Sequence, residues 1–286
     1  MGKCRRFQPG QAALKLCLFA AALVMVAPVC LLVTGSLMGE AELLDNLGFS
    51  GREGWILWPA LPAYPSLTPY VRVLMDTPRF LLMFWNSCTQ VVPAVLGQFL
   101  VGAPAAWAFG RYTFPGKRVV FLLYIALMLM PFQVTMVSNY LVLNRLGLMN
   151  NPLAIILPAA FSTFPVFIMV KFFAGIPQSV MDAAELDAAG PWSVFWRIGL
   201  PMGAPGVGAA LMLGFLESWN AIEQPMIFLM QNKRYWPLSL YLPEIAAQDA
   251  GVSLAASVIM MIPPLLVFLF GLEYLELGIC AAALKE

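Results

Sequence analysis

The sequence predicts an all-α membrane protein, a bundle of about six transmembrane helices with a cytoplasmic two-helix loop between the fourth and fifth. Three observations predict it. Of the 286 residues, 61% are hydrophobic and 11% charged, whereas an ordinary soluble domain carries about 25% charged residues to keep its surface wet. The apolar residues fall in segments of roughly twenty or more, the length a helix needs to cross a bilayer core of about 30 Å. A polar break of about thirty residues, 174–205, is long enough to form structure of its own outside the bilayer.

The first span covers about 12–38 and follows Lys3, Arg5 and Arg6. A signal peptide has the same order of charge and apolar core, but its core is only about 7–15 residues long. The segment is therefore expected to remain as an anchor. A polar stretch from Gly39 to about Arg79, punctuated by Pro59, Pro62, Pro65 and Pro69, reads as a loop with short helices. The second span covers about 80–109, with Asn86-Ser87 interrupting its outer end. A tight basic turn, Gly110 to Arg118, leads to a third span over about 119–143. After a short link, Asn144 to Asn151, the fourth span covers about 152–173. Beyond the polar break the fifth covers about 206–230, Gln231 to Ala250 form a loop, and the sixth covers about 252–272. The whole chain, 1–286, reads as a single transmembrane domain.

Orientation follows from the basic residues that flank the spans, which concentrate on the cytoplasmic side. With a cytoplasmic N-terminus, that side holds Lys3, Arg5, Arg6, Lys15, Arg111, Lys117, Arg118, Lys171, Arg197 and Lys285. The opposite side holds Arg52, Arg72, Arg79, Arg145, Lys233 and Arg234. Ten against six places both termini and the 174–205 break in the cytoplasm.

Composition also excludes function classes. A net charge of +1 removes the basic surface that nucleic-acid binding requires. Cys4, Cys17, Cys30, Cys88 and Cys280 stand alone and there is no histidine, so neither a zinc site nor acid–base catalysis by imidazole is expected. A phosphate loop needs G-x-x-x-x-G-K-[ST]. Gly116-Lys117 has Arg111 at the first glycine and Arg118 at the hydroxyl position, so the chain is expected to carry no ATP site.

The break between spans four and five is the most informative stretch. Gln178 to Ala189 places alanines and acids at good helix positions without internal proline or glycine. Gly190 allows a sharp turn, Pro191 suits the first position of a second helix, and Pro201 is expected to stop that helix before the fifth span. The first helix sets Ala183 and Ala184 among Asp182, Glu185 and Asp187, with no basic residue before Arg197. Small side chains let a helix lie close inside a groove of another protein. The alternative, a helix resting on lipid headgroups, usually brings lysine and arginine on its polar face.

This stretch resembles the EAA loop of binding-protein-dependent ABC importer permeases, whose pattern is E-A-A, three residues, G, nine residues, I-x-L-P. Asp182-Ala183-Ala184 takes the E-A-A place, Ala188 the glycine position, and Ile198-x-Leu200-Pro201 falls at the family spacing, with Gly190 two residues past the glycine position. Leu186-Asp187 and Pro191-Trp192 further resemble the carbohydrate-uptake branch, as do Glu217-Ser218-Trp219-Asn220 with Pro225 and the tail Tyr274 to Lys285. The resemblance implies a permease subunit in a bacterial cytoplasmic membrane, moving sugars or oligosaccharides by alternating access. It implies that Asp182, Ala183, Ala184, Glu185, Asp187, Ala188, Gly190, Ile198, Leu200 and Pro201 couple to an ATPase. Implied partners are a second homologous permease, two ATPase subunits that bind ATP and Mg, and an extracellular substrate-binding protein.

Polar residues inside the spans carry two readings each. Gln133 and Asn139 in the third span, and Glu217, Trp219 and Asn220 in the fifth, suit a path for a sugar: aromatic faces stack on its C–H surfaces and amides bond its hydroxyls. The same groups also serve as hydrogen-bonded glue between helices. Lys171 reads as a residue snorkelling to the headgroups. The competing class is a self-contained, ion-coupled secondary transporter, which would show internal repeats and clustered mid-span carboxylates; neither is evident.

Overall fold

The computed structural model describes residues 9–46, 59, 61–186, 190–242 and 250–283. The protein is an all-α membrane protein, and its described residues divide between two compact units.

The first unit takes in residues to Pro78 together with Glu244–Met260. It opens with α1 (Pro9–Ser36) and α2 (Glu40–Asn46). From Leu14 to Ser36 the mean hydropathy is 2.8, and the side chains from 14 to 33 are largely exposed all round. A helix apolar on every face has lipid as its solvent. The polar stretch that follows is tied by its own hydrogen bonds. Ser66 N–H donates to Leu37 O at 2.8 Å, and the Glu42 carboxylate accepts the Ala63 and Tyr64 N–H groups at 2.7 and 3.4 Å. Short helix α3 (Thr68–Val71) runs into a π turn, Arg72–Asp76. Arg72 meets Glu40 at 3.1 Å in an exposed ion pair, worth at most about 1 kcal/mol.

The second unit holds Arg79–Pro243 and Met261–Glu286. Helix α4 (Pro78–Gly97), a π turn (Gln98–Gly102) and α5 (Ala103–Arg111) run on as one helix of 34 residues. Gly116, at φ 79°, turns the chain into α6 (Lys117–Leu129). Hydropathy predicts one span over 119–143, but α6 and α7 (Phe132–Arg145) meet at 105°. The cause is Pro131: it lacks an N–H for the helical ladder and drives Met130 to an extended ψ of 127°. Helices α8 (Leu153–Ala160) and α9 (Thr163–Ala174) form the next span with a break at Phe161-Ser162.

The loop after α9 contains α10 (Gln178–Leu186) and α11 (Pro191–Val194). A π turn, Phe195–Gly199, then joins α11 directly to α12 (Leu200–Trp219), so one helix runs from Pro191 to Trp219. Pro201 does not stop the second loop helix as expected; it occupies the first turn of α12. Its missing N–H falls where the π turn changes the hydrogen-bond register, so little further pairing is lost. The expected span over 206–230 correspondingly begins earlier and ends at Trp219, and α13 (Glu223–Phe228) is a separate short helix. With α14 (Ala250–Ala283), the described residues hold five helices long and apolar enough to cross a membrane, or six with the bent α6–α7 pair counted as one.

The core of the second unit lies where α9 packs between α5 and α12. Phe173 meets Trp107 and Phe195 edge to face there, with centroids 5.4 and 6.4 Å apart, and Trp107 and Phe195 are tilted at 5.8 Å. Gly199 lies flat against the Trp107 ring, and a Cβ on it would stand 2.6 Å from that ring.

Candidate functional site

Two places gather the polar chemistry of the second unit: the loop between α9 and α12, and a cavity among the broken helices.

In the loop, α10 turns Ala184 into the core, where it is 5% exposed, and leaves Ala183 and Asp182 outside. The two alanines thus have different jobs. Ala184 is small because it packs on this chain's own core, beside half-buried Met181 and Ile198. Ala183 is exposed. Glu185 lies on α10 by its backbone, while Asp187 and Ala188 fall outside the described residues. Gly190 is extended, with φ −64° and ψ 154°, and caps α11 by accepting the Val194 N–H at 3.0 Å. It adopts no conformation reserved for glycine, and the residues that would form the expected turn with it, 187–189, lie outside the described residues. Ile198 and Leu200 are half-buried and Pro201 is exposed. The loop also exposes Leu186 (88%), Trp192 (66%) and Trp196 (51%), apolar side chains of the kind that mark an interaction surface.

Sequence reasoning missed the residue that anchors this loop. Arg111, counted only as a topology charge, donates from Nη1 to Ile176 O at 2.9 Å and from Nη2 to Gln178 Oε1 at 2.9 Å. Gln178 Nε2 in turn donates to Asp182 Oδ1 at 3.0 Å. The end of α5 therefore grips the first turn of α10 through a forked guanidinium, a geometry lysine does not reproduce. Arg111→Ala is expected to speed amide hydrogen exchange in 178–186 at least about tenfold, since both guanidinium bonds are lost, with Arg111→Lys recovering only part of the protection. Unchanged exchange would remove Arg111 from this role.

The cavity, of about 330 Å³, opens where three helices are interrupted: at the α6–α7 bend, at the α8–α9 break and just past the end of α12. Interrupted helices are tolerated at membrane depth where they line a cavity. Asn139 and Glu217 face it, as do Gln90, Gln98, Ser162 and Gln224, with Phe132, Phe161 and Phe164 as apolar walls. Gln90 and Gln98 are each 2% exposed. Their Nε2 groups donate to Tyr235 O at 2.7 Å and Ala159 O at 3.0 Å, and their Oε1 atoms accept nothing from the described residues.

The other three expected path residues are not among those that line this cavity. Gln133 Nε2 donates to both oxygens of Glu223 at 3.0 Å, tying α7 to α13. Trp219, 4% exposed, stacks on Phe215 at 5.5 Å and meets Phe84 edge-on at 5.9 Å. Asn220 turns back to cap α12 by donating to Leu216 O at 2.9 Å. Asn86 and Gln90, one turn apart on α4, share one face. Asn86 and Gln90 hold the irregular segment 234–236 through its carbonyl groups, and Ser87 accepts the Leu238 N–H at 2.8 Å.

No family model matches the chain. It is 32% identical over 240 residues to a probable ABC transporter permease protein of Pyrococcus horikoshii, covering 82% of this chain and 86% of that one. An arabinooligosaccharide transport system permease protein of Halalkalibacterium halodurans is 26% identical over 266 residues, 92% of each chain. A diacetylchitobiose uptake system permease protein of Streptomyces coelicolor is 33% identical over 192 residues, 65% of this chain and 63% of that one. Among solved structures, a bacterial ABC transporter involved in importing the acidic polysaccharide alginate superposes with a TM-score of 0.79 at 21% identity, covering 96% of this chain and 99% of that one. That likeness is one of fold.

Proposed function

We propose the following role for this chain, which belongs to the ABC transporter permease family: it forms part of the membrane path by which an importer takes up sugars or oligosaccharides. It is an integral membrane subunit of a transporter complex that includes ATPase and binding-protein partners. Within that complex we assign it one of two homologous permease places, above a pair of ATPase subunits that bind ATP and Mg. The charge asymmetry of its loops supports an orientation with both termini and the 176–201 loop on the cytoplasmic side of the cell membrane. Substrate arrives from an extracellular binding protein, and ATP-driven movement of the ATPase pair acts on Ala183, Asp182 and the exposed tryptophans of the loop.

The polar cavity ringed by three helix breaks carries the sugar reading. Carboxylate, amide and hydroxyl groups there alternate with phenylalanine faces, matching a solute with hydroxyls on its edge and C–H groups on its face. Relatives named for arabinooligosaccharide and diacetylchitobiose transport support the same class of solute. Asn139→Leu and Glu217→Gln are each expected to raise the substrate concentration for half-maximal uptake about tenfold. Asn220→Ala, which removes a helix cap outside the cavity, leaves it unchanged. Equal uptake curves for all three variants would move substrate contact elsewhere.

The assembly is tested by mild-detergent purification of the chain from its native membranes. Recovery with a second permease and an ATPase is the expected result. Recovery of the chain alone, transporting after reconstitution without ATP, would favour an ion-coupled carrier instead.

A further inference from the structure

A second concavity lies beside the turn between α5 and α6. It encloses about 690 Å³, a volume within the range of ligand sites. Its walls are Phe109, Phe114, Phe121 and Val170, and its rim carries Thr113, Lys117 and Arg118, with no acidic side chain in the lining. Phe109 meets both Phe114 and Phe121, at 5.9 and 5.4 Å, so the rings form one continuous floor. Lys117 Nζ donates to Tyr112 O at 2.9 Å and is half-buried. Arg118 is exposed and makes no ion pair or hydrogen bond among the described residues. The cationic rim extends sideways: Phe121 stacks on Phe167 at 6.5 Å, and Lys171 Nζ sits 4.9 Å above the Phe167 ring. The turn is polar and both neighbouring helices are apolar, which places it where the bilayer meets water.

We propose that this groove binds an anionic phospholipid. The phosphate rests against Lys117 and Arg118, with the Thr113 hydroxyl as a further donor, and an acyl chain lies along the phenylalanine floor. The charges decide the occupant. A helix from another subunit would match the apolar floor alone, whereas an apolar slot beneath two basic residues at the membrane surface matches one molecule with a negative head and a hydrocarbon tail. The Lys117–Tyr112 bond holds the lysine at the rim, so the site exists before the lipid arrives.

The test uses the intact transporter in nanodiscs of phosphatidylcholine doped with phosphatidylglycerol, with retained lipid counted by native mass spectrometry. The wild type is expected to retain phosphatidylglycerol in preference to phosphatidylcholine. Lys117→Gln with Arg118→Gln is expected to lower that retention about thirtyfold, roughly fivefold for each basic residue. Val119→Trp, a substitution at a 63% exposed rim position, leaves both charges and obstructs the groove. It is expected to lose the lipid as well, which separates a bound molecule from diffuse attraction to charge. Equal retention of the two lipids by the wild type, or undiminished phosphatidylglycerol on either variant, would overturn the proposal. So would efficient cross-linking of Val119→Cys to a neighbouring subunit, since protein would then fill the groove.

Discussion

Ala183→Arg is expected to lower ATP-driven uptake at least about a hundredfold while leaving a folded chain in the membrane. Ala183 is exposed on α10, in a loop that also exposes the apolar Leu186, Trp192 and Trp196. A guanidinium there keeps its water until a partner closes over it. The whole loss then falls on the docked state, where a bulky charge at the centre of an interface is worth several kcal/mol. Ala184→Arg makes the contrast. That side chain points into the core beside Val194 and Phe195, so the charge would be buried without a partner even in the isolated chain. It is expected to abolish the folded protein, seen as aggregation in size-exclusion chromatography. Normal uptake by Ala183→Arg, or a stable Ala184→Arg chain, would reverse the assignment of the two faces.

The second large effect is on stability. Gly199→Ala places a methyl group 2.6 Å from the Trp107 ring, which is itself 3% exposed and pinned by Phe173 and Phe195. Such overpacking typically costs about 1–3 kcal/mol, read as a lower thermal midpoint in detergent. Trp107→Phe in the same chain is expected to restore most of it. The smaller ring frees the space, and the indole N–H that goes with it has no partner among the described residues. An additive loss in the double variant would show that the two positions do not share the contact.

How far the sequence reaches depends on the physics each feature obeys. Membrane character and helical class are legible because hydropathy is a sum over many residues, and one departure does not alter it. Breaks are local events. The bend at Met130-Pro131 and the continuous helix through Pro201 both involve proline in an apolar run, with opposite outcomes. What separates them is the π turn ahead of Pro201, and no composition rule marks such a turn. The spaced motif identified the 176–201 loop, but small size alone did not tell which alanine faces outward. Ala183 and Ala184 differ only in what packs behind them. Asn139 and Glu217, costly polar groups in apolar segments, line the cavity, whereas Trp219, equally conspicuous in the sequence, packs on Phe215 and Phe84 outside its lining. Arg111 was hidden because its partners lie 65 and 67 residues away in the chain.

The junction at Phe195–Gly199 has a mechanical consequence. Because α11 passes into α12 without a stop, Trp192 in the loop and Glu217 at the cavity ride on the same rod. At a rise of about 1.5 Å per residue they stand roughly 38 Å apart along it. A tilt of only about 5° about one end displaces the other by about 3 Å, more than the length of a hydrogen bond's useful range. A push delivered at the loop thus arrives at the cavity as leverage, multiplied by length.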